Sequence, residues 1–498
     1  MRRSSVLLPA FVLVGVLFSV ASAHEARAAT TWTYPGASPC NTTLQACIDA
    51  ASAGDTIQIG ANDLTSQGAS VTKSLTLIAE PGYNPTLYGI FVYDPPSPTS
   101  AMAVTLDGLG ATEYIEGTFS YSGDSLMVRH ATVTQSGTES GPDISVDALA
   151  PSSLQVINSN ITVANEWAGI ALAGTWTGQS TFRAVGNYIT AHGSTYPGSA
   201  IELDTEAPGQ SLQADIMNNA IWDVASCYCG GASGVFLYPQ STSTMDVNLV
   251  GNSFMGVQSS DINVRNELDA GGSGVLNAFN NIFAHATDAA FDMDDESSIA
   301  SRFSLVAGTN DEFKNGLADI LDGRSAGSGN LAVNPRFVSG STGNLHLKSS
   351  SPLINAGQTC SPGGVGMLDA AGHERVFGSS MDLGAYERGS STPTGKVFIG
   401  GSGADTITGT AGADIICGMG GNDVLNGGAG NDFIDGGSGS DKVTGGGGAD
   451  WLYGGPDNDT ICAKDGTSTD HLNGGPGTDG YQKDSGDVAV SVEHKVTC

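Results

Sequence analysis

The stretch GGSGADTIT, residues 400–408, sets the pattern for the C-terminal part of the chain. It reads Gly-Gly-x-Gly-x-Asp-x-apolar-x, and seven copies follow one another without a shift of phase up to residue 462. The glycines permit positive φ and let backbone carbonyls approach an ion, and a carboxylate offers the hard oxygen that calcium prefers. The apolar position predicts a short strand whose side chain fills the interior of a solenoid.

The nonapeptide resembles the calcium-binding repeat of RTX proteins, in which two repeats form one coil of a parallel β-roll. The resemblance implies that aspartates two repeats apart stack on two flanks. At a strand spacing of roughly 4.8 Å these carboxylates repel unless a cation lies between them, so we expect the roll to fold with several Ca²⁺ ions. An eleven-residue unit, 463–473, and a last repeat, 474–482, extend the pattern. The predicted calcium ligands are Asp405, Asp414, Asp423, Asp432, Asp441, Asp450, Asp459, Asp470 and Asp479.

The N-terminus has the pattern of a secretory signal peptide, residues 1–28. Arg2 and Arg3 precede an apolar run, Val6–Val20, and small residues offer cleavage after Ala23 or Ala28. No later segment is apolar and long enough to span a bilayer. We therefore expect a secreted, extracellular bacterial protein, with association with the cell surface as the alternative, and without a transmembrane segment after signal removal.

The net charge of the chain restricts the classes of partner that it can bind. It carries 51 acidic and 19 basic side chains, a net charge of −32. Nucleic acid and anionic membranes are therefore disfavoured. Calcium and an extracellular polysaccharide or cell surface are the partners that remain.

Eight cysteines in a secreted chain predict disulfides. Cys417 and Cys462 lie five repeats apart, which places them on opposite flanks of the roll and excludes their pairing. Two cysteines separated by one residue have no second pair at zinc spacing, so they predict a disulfide loop. The predicted pairs are Cys40–Cys47 and Cys462–Cys498, with the loop at Cys227 and Cys229.

A longer and less regular repeat occupies the body of the chain. Apolar-x-apolar strands recur in two columns, and Asn-x-apolar turns follow the first column at Asn187, Asn219, Asn252 and Asn281. Two phased columns with variable spacers predict a parallel β-helix rather than an antiparallel sandwich. The first column is Leu77, Leu106, Val128, Val156, Ala184, Ile216, Leu249 and Ala278, and the second is Ile144, Ile170, Ile201, Val235, Ile262 and Phe291.

Both ends of this body resemble known families. The helical pattern 43–51, with Thr42 or Thr43 as N-cap, precedes the strands 54–59 and 71–78, as at the entry of right-handed β-helices of the pectate-lyase-like superfamily. The run from Asn334 to Arg388 includes SSPLINAG and MDLGAYE, and it resembles the "choice-of-anchor Q" segment that closes such domains.

The predicted fold class is all-β, a right-handed parallel β-helix followed by a C-terminal calcium-binding parallel β-roll. The predicted divisions are a signal peptide (1–28), a β-helix (30–388) that ends in the choice-of-anchor Q-like segment (334–388), a linker (389–396), the RTX roll (397–482) and a capping tail (483–498), in which Val488–Val492 forms a strand.

Glu202 and Asp204 alternate with buried positions on one strand, so they share a face. Exposed aromatics lie one coil away and Arg265 two coils away, which gives the acid, ring and base that a polysaccharide groove needs. A solvated face on a very acidic protein explains the same residues. Mannuronan C5-epimerases share this architecture, but their catalytic Asp-Pro-His-Glu sequence is absent here.

Three functions remain open at this point. The first is a secreted calcium-binding protein whose β-helix is an extracellular surface or glycan-interaction scaffold. The second is a calcium-dependent polysaccharide lyase or epimerase acting on uronate polymers, with Glu202, Asp204 and Arg265 as candidate catalytic residues. The third is a structural adhesion or matrix protein.

Overall fold

The computed structural model describes residues 28–135, 143–164, 168–192, 198–225, 232–239, 242–264, 272–292, 303–315, 318–320, 329–361, 369–371, 373, 375, 380–388, 395–466 and 469–498. The strands in these ranges are almost all paired in parallel, and they form a β-helix followed by a β-roll. The predicted fold class is therefore confirmed. No helix in the described ranges is long and apolar enough to cross a membrane.

The first stack of the β-helix carries the first predicted column. Register pairs Leu77 with Leu106, Val128 with Val156, and Ile216 with Leu249, which confirms the column coil by coil. These side chains are buried in one core that runs through the β-helix. The strands are Thr31–Tyr34, Thr56–Ile59, Leu75–Ala79, Ala103–Asp107, Asp124–Arg129, Ser152–Ile157, Gly178–Val185, Gln210–Met217, Thr244–Val250, Ser273–Phe279 and Phe303–Gly308.

Two further stacks complete each coil. The second stack contains Asp63–Leu64, Thr132–Thr134, Asn160–Ala164, Tyr188–His192, Ala220–Ala225, Ser253–Met255, Ile282–Ala284 and Asp311–Phe313. The third contains Ala69–Val71, Ile144–Ala148, Ala168–Gly174, Ser199–Thr205, Val235–Pro239, Ile262–Val264, Ala289–Asp292 and Ala318–Ile320. Strands Thr86–Tyr93 and Gly110–Phe119 are long enough to pair in both stacks. The register Ile170↔Ile201↔Val235↔Ile262 confirms the second predicted column.

A ladder of asparagines lies at the corner between the first and second stacks. Asn187 Nδ2 donates to Asn219 Oδ1 at 3.0 Å, and Asn252 Nδ2 donates to Asn281 Oδ1 at 3.0 Å. Each amide also donates to a strand carbonyl and accepts a backbone N–H, so both ends of the side chain are satisfied inside the protein. Asn310 extends the ladder beyond the four Asn-x-apolar turns that the sequence predicted.

A short helix, Leu44–Ala50, closes the N-terminal end of the β-helix. Thr43 is its N-cap and accepts a hydrogen bond from Ala46 N at 3.1 Å, so the second of the two predicted caps is confirmed. The predicted Cys40–Cys47 disulfide holds the loop before the helix. Leu44 and Ile48 are buried against the first coil, which covers the core and edge that an open end would expose.

The segment 334–388, which we call the closing segment, packs on the outer face of the second stack. Its strands Phe337–Ser339 and Asn344–Leu347 form an antiparallel hairpin around a 3₁₀ turn, Gly340–Thr342, and pack on second-stack side chains such as Trp222. The guanidinium of Arg375 is fully buried and donates to the carbonyls of Asp382 and Gly384.

The roll begins at Val397 and has two parallel sheets in the predicted register, with residues eighteen apart paired through the nonapeptide repeats. The first roll sheet contains Val397–Ile399, Ile415–Cys417, Phe433–Asp435, Trp451–Tyr453, His471–Asn473 and Val488–Val490. The second contains Thr406–Thr408, Val424–Ala429, Lys442–Gly447, Thr460–Cys462, Gly480–Gln482 and His494–Lys495. The tail strand ends at Val490, two residues before the predicted end, because Ser491 adopts positive φ.

The roll is joined to the body by more than the linker, of which residues 389–394 lie outside the described ranges. Cys360 of the closing segment forms a disulfide with Cys417 of the roll, a pairing that the sequence did not predict. Around it, Met217 and Val250 of the β-helix share an apolar cluster with Phe433 of the roll. The predicted Cys462–Cys498 pair is confirmed, whereas the predicted loop at Cys227 and Cys229 lies outside the described residues.

Candidate calcium sites and a candidate glycan face

The repeat aspartates form a ladder on each flank of the roll. On one flank Asp405 N donates to Asp423 Oδ1 at 2.8 Å, and Asp423 N donates to Asp441 Oδ1 at 2.7 Å. On the other flank Asp414 N donates to Asp432 Oδ1 at 2.8 Å. The pattern continues through the remaining members, which are Asp450, Asp459, Asp470 and Asp479. The structure thus brings together all nine predicted ligands on the two flanks that the resemblance implied.

The second carboxylate oxygen of most of these residues has no hydrogen-bond partner. Among the described residues, the buried Oδ2 atoms without a partner include those of Asp423, Asp432, Asp441, Asp450, Asp459, Asp470 and Asp479. A buried carboxylate oxygen without a donor or a cation is costly. A row of such oxygens at one-coil spacing therefore fits divalent cations, and their hardness fits calcium.

The first glycine of each repeat leaves the space in which this oxygen lies. A Cβ placed on Gly418 would lie 2.4 Å from Asp423 Oδ2 and 2.4 Å from the carbonyl oxygen of Gly436. Gly436 repeats the arrangement with Asp441 Oδ2 at 2.4 Å. Only glycine keeps the carboxylate and the neighbouring carbonyl close enough to share one ion.

Burial raises the pKa of these carboxyls when no cation is present. The pKa of Asp432, Asp459 and Asp470 rises to about 7, and that of Asp441 and Asp450 to about 6. Desolvation is the largest cause in each case, and repulsion from neighbouring aspartates adds to it. Calcium would supply the opposite charge that these groups lack.

No group of three or more Asp, Glu, His or Cys side chains with metal-binding geometry occurs among the described residues. Each coil of the roll offers one repeat aspartate on each flank, so the carbonyls of the glycine-rich turns would supply the remaining ligands of an ion here. This donor set suits calcium, which accepts carboxylate and backbone oxygens together.

Departures from the repeat change the first sites of the roll. Thr410, which replaces the second glycine, donates through its N and Oγ1 to Asp414, so the Oδ2 of Asp414 already has donors. Gly401 N donates to Asp405 Oδ2 at 2.7 Å. The first aspartate on each flank is therefore less in need of a cation than the later ones.

Two acids that sequence reasoning missed end the ladders. Asp487 Oδ1 accepts from Asp470 N at 3.1 Å, and Glu493 Oε2 accepts from Asp479 N at 2.6 Å. They follow their partners by 17 and 14 residues instead of eighteen. Because neither spacing is a multiple of nine residues, a search for the nine-residue period does not find Asp487 and Glu493.

On the β-helix, the third stack places Glu202 and Asp204 on one outward face, as predicted. Glu202 pairs in register with Ala171 on one side and Phe236 on the other, and Asp204 pairs with Tyr238. The rings of Phe236 and Tyr238 are stacked with centroids 6.0 Å apart. Arg265, the third predicted catalytic residue, lies outside the described residues.

The same face carries further acids and rings toward the N-terminus. Burial raises the pKa of Glu202 to about 7, and it also raises the pKa values of Glu116 and Asp147. Phe91 and Tyr93 are exposed at the far end of the face. We call this outward surface of the third stack, from Phe91 to Tyr238, the glycan face.

Comparisons with known protein families match the roll. Residues 399–434, 426–461 and 435–469 match the RTX calcium-binding nonapeptide repeat, so this part of the chain consists of RTX calcium-binding repeats. A search of curated proteins gave no match.

Among solved structures, a PL6 family alginate lyase, AlyGC, aligns over 94% of this chain and 80% of that chain, with 11% identity and a TM-score of 0.27. A point mutant of that enzyme aligns over 90% and 78%, with 12% identity and a TM-score of 0.21. Likeness at this level carries no argument about activity.

Proposed function

We propose that this chain is a secreted, calcium-stabilised protein whose β-helix acts as an extracellular scaffold for polysaccharide. Both the repeat sequence and the geometry of the roll support calcium binding. The observation that carries the role of calcium is the row of buried Oδ2 atoms without a partner among the described residues of the roll.

The glycan face supports the second half of the proposal. Phe236 and Tyr238 offer rings on which a sugar can stack. Beside them, the carboxylates of Glu202 and Asp204 can accept hydrogen bonds from sugar hydroxyls. Ala171, next to Glu202, leaves the neighbouring coil flat. Because the coils repeat at roughly 4.8 Å, the face offers a linear polymer a periodic surface.

Calorimetric titration of the purified, calcium-loaded chain with neutral and acidic oligosaccharides tests this proposal. We expect saturable binding that weakens at least tenfold in the Glu202→Gln/Asp204→Asn variant. The control is Asp246→Asn, an exposed acid on the first stack. Equal binding by the double variant and the wild type would remove the face from the proposal. No binding of any sugar would favour a structural adhesion or matrix role.

A calcium-dependent lyase or epimerase is the second candidate, and Glu202 favours it. A carboxyl group whose pKa is about 7 can exchange a proton near neutral pH, as a general acid or base must. Absorbance of unsaturated uronates reports lyase activity, and NMR of recovered polymer reports epimerisation. Turnover that disappears in Glu202→Gln while the circular dichroism is unchanged would establish this function.

A further inference from the structure

A cavity of about 500 Å³ lies between the second stack and the hairpin of the closing segment. His285, Arg336 and Lys348 bring three cationic or protonatable groups to it, and Phe313 and Phe337 add apolar ring surface. None of the described residues that line the cavity is acidic. The chain has 51 acidic and 19 basic side chains, so three basic side chains without an acid at one cavity are more than its composition leads one to expect.

These cationic groups lack the usual protein partners. Within the described residues, neither Arg336 nor Lys348 takes part in an ion pair with a carboxylate. Arg336 uses Nη1 to donate to the Ser350 carbonyl at 2.6 Å, which keeps the guanidinium beside the cavity. A third cation, Lys314, lies over the Phe313 ring at 5.2 Å, and its charge helps to lower the pKa of His285, although desolvation is the larger cause.

The backbone holds the cationic pair in place. Arg336 adopts a positive φ of 56°, and Asn334 Oδ1 accepts a hydrogen bond from its N–H at 2.8 Å. Lys348 N donates to the Arg336 carbonyl at 3.0 Å, so the two residues lie opposite each other at the base of the hairpin. The His285 ring meets the edge of Phe313 with centroids 5.6 Å apart. The cavity is thus built from ordered elements on both sides.

We propose that this cavity binds an acidic sugar unit of a polysaccharide, with Arg336 and Lys348 on its carboxylate and the apolar lining against its ring. The size lies within the range of small-ligand pockets, and paired cations beside apolar surface suit a uronate better than a neutral sugar. The choice of a saccharide rests on the proposed glycan function, whereas the preference for an anion does not.

Titration of the calcium-loaded full-length chain with trigalacturonate, its methyl ester and inorganic sulfate tests the inference. We expect trigalacturonate to bind at least tenfold more tightly than the ester. Lys348→Gln should weaken it at least fivefold, and Arg336→Gln should do the same if circular dichroism shows that the hairpin is intact. Lys442→Gln, an exposed lysine on the roll, is the matched control for charge.

Three outcomes would overturn the inference. Equal affinity for the ester, or no effect of Lys348→Gln beyond that of Lys442→Gln, would show that the cavity does not read the carboxylate. Sulfate binding as tight as the trisaccharide would mark a site for free anions. Loss of trigalacturonate binding in Glu202→Gln/Asp204→Asn but not in Lys348→Gln would leave the proposed glycan function standing and this cavity without a part in it.

Discussion

The two solenoids use the same kind of ladder with different side chains. In the β-helix, Asn252 Oδ1 accepts the backbone N–H of Asn219, and Asn252 Nδ2 donates to both a strand carbonyl and the next asparagine. In the roll, Asp432 accepts a backbone N–H through Oδ1, and its buried Oδ2 has no partner among the described residues. The amide completes its own hydrogen bonding, while the carboxylate needs something from outside. The β-helix ladder is therefore satisfied by hydrogen bonds within the protein, whereas the stability of the roll depends on a bound cation.

Removing calcium should have the largest effect, and only on one solenoid. In excess chelator we expect amide protection to fall across 397–482 and to stay unchanged in the first stack of the β-helix, because each site loses about 2.7 kcal/mol of stabilisation relative to a hundredfold excess of calcium over Kd. Hydrogen exchange with mass spectrometry checks this. Restoration by calcium but not by equimolar magnesium is the control, and equal protection in both states would contradict the comparison.

A change of pH should have the second-largest effect on stability, because several carboxyl groups of the roll bind protons together. In the calcium-free roll the pKa of Asp432, Asp459 and Asp470 is about 7, against 3.8 for an ordinary aspartate. The folded roll then binds more protons than the unfolded chain, so its stability should fall as pH rises from about 4 to about 7. Calcium should reverse this trend because protons compete with it. Chemical unfolding at pH 4, 5.5 and 7 in chelator checks this, and a rise with pH would contradict it.

Replacing a ladder asparagine of the β-helix with aspartate, the ladder residue of the roll, should lower stability by somewhat less. Asn252→Asp removes the donor to Ile216 O and Asn281 Oδ1 and leaves a buried charge without a counter-ion. We expect the free energy of unfolding to fall by roughly 3–5 kcal/mol, with or without calcium. Urea unfolding measures it, with Asn160→Asp at an exposed position of the second stack as control. A calcium-dependent loss would mean that the ladder position itself can bind the ion.

The reverse exchange should have a smaller effect whose sign depends on calcium. Asp432→Asn supplies a donor where the carboxylate had none, so in chelator we expect a gain of about 1–3 kcal/mol. With calcium the same change should lower both stability and the number of ions bound. Thermal unfolding paired with calcium titration measures both quantities, and a loss of stability in chelator would contradict the explanation.

Replacing one non-glycine residue that adopts positive φ should have the smallest effect on stability. Asp457 stands at the fourth position of its repeat with φ of 81°, and the fourth-position glycines of the four repeats before it, Gly421, Gly430, Gly439 and Gly448, also have positive φ. Asp457→Gly should raise the free energy of unfolding by about 1 kcal/mol, because an L side chain is disfavoured in the left-handed region. Ala449→Gly, at a neighbouring exposed turn position, is the control, and a loss of stability would show that the Asp457 carboxylate itself contributes.

The repeating parts of the molecule were predictable because their signal is local. Leu249 and Ala278 share a column since each lies in an apolar-x-apolar strand, and Asp432 is placed by a period of nine. The Cys360–Cys417 disulfide and the cavity at Arg336 were not predictable, because they join segments far apart in sequence without any shared period.

The two long disulfides also decide how the molecule would carry a pulling force. A load applied between the ends would pass from Cys360 directly to Cys417 and from Cys462 directly to Cys498. The linker and the first coil of the roll would bear none of it. Within the roll the load would run only through residues 417–462, which contain Asp423, Asp432, Asp441, Asp450 and Asp459. Calcium concentration would then set the mechanical strength of the roll.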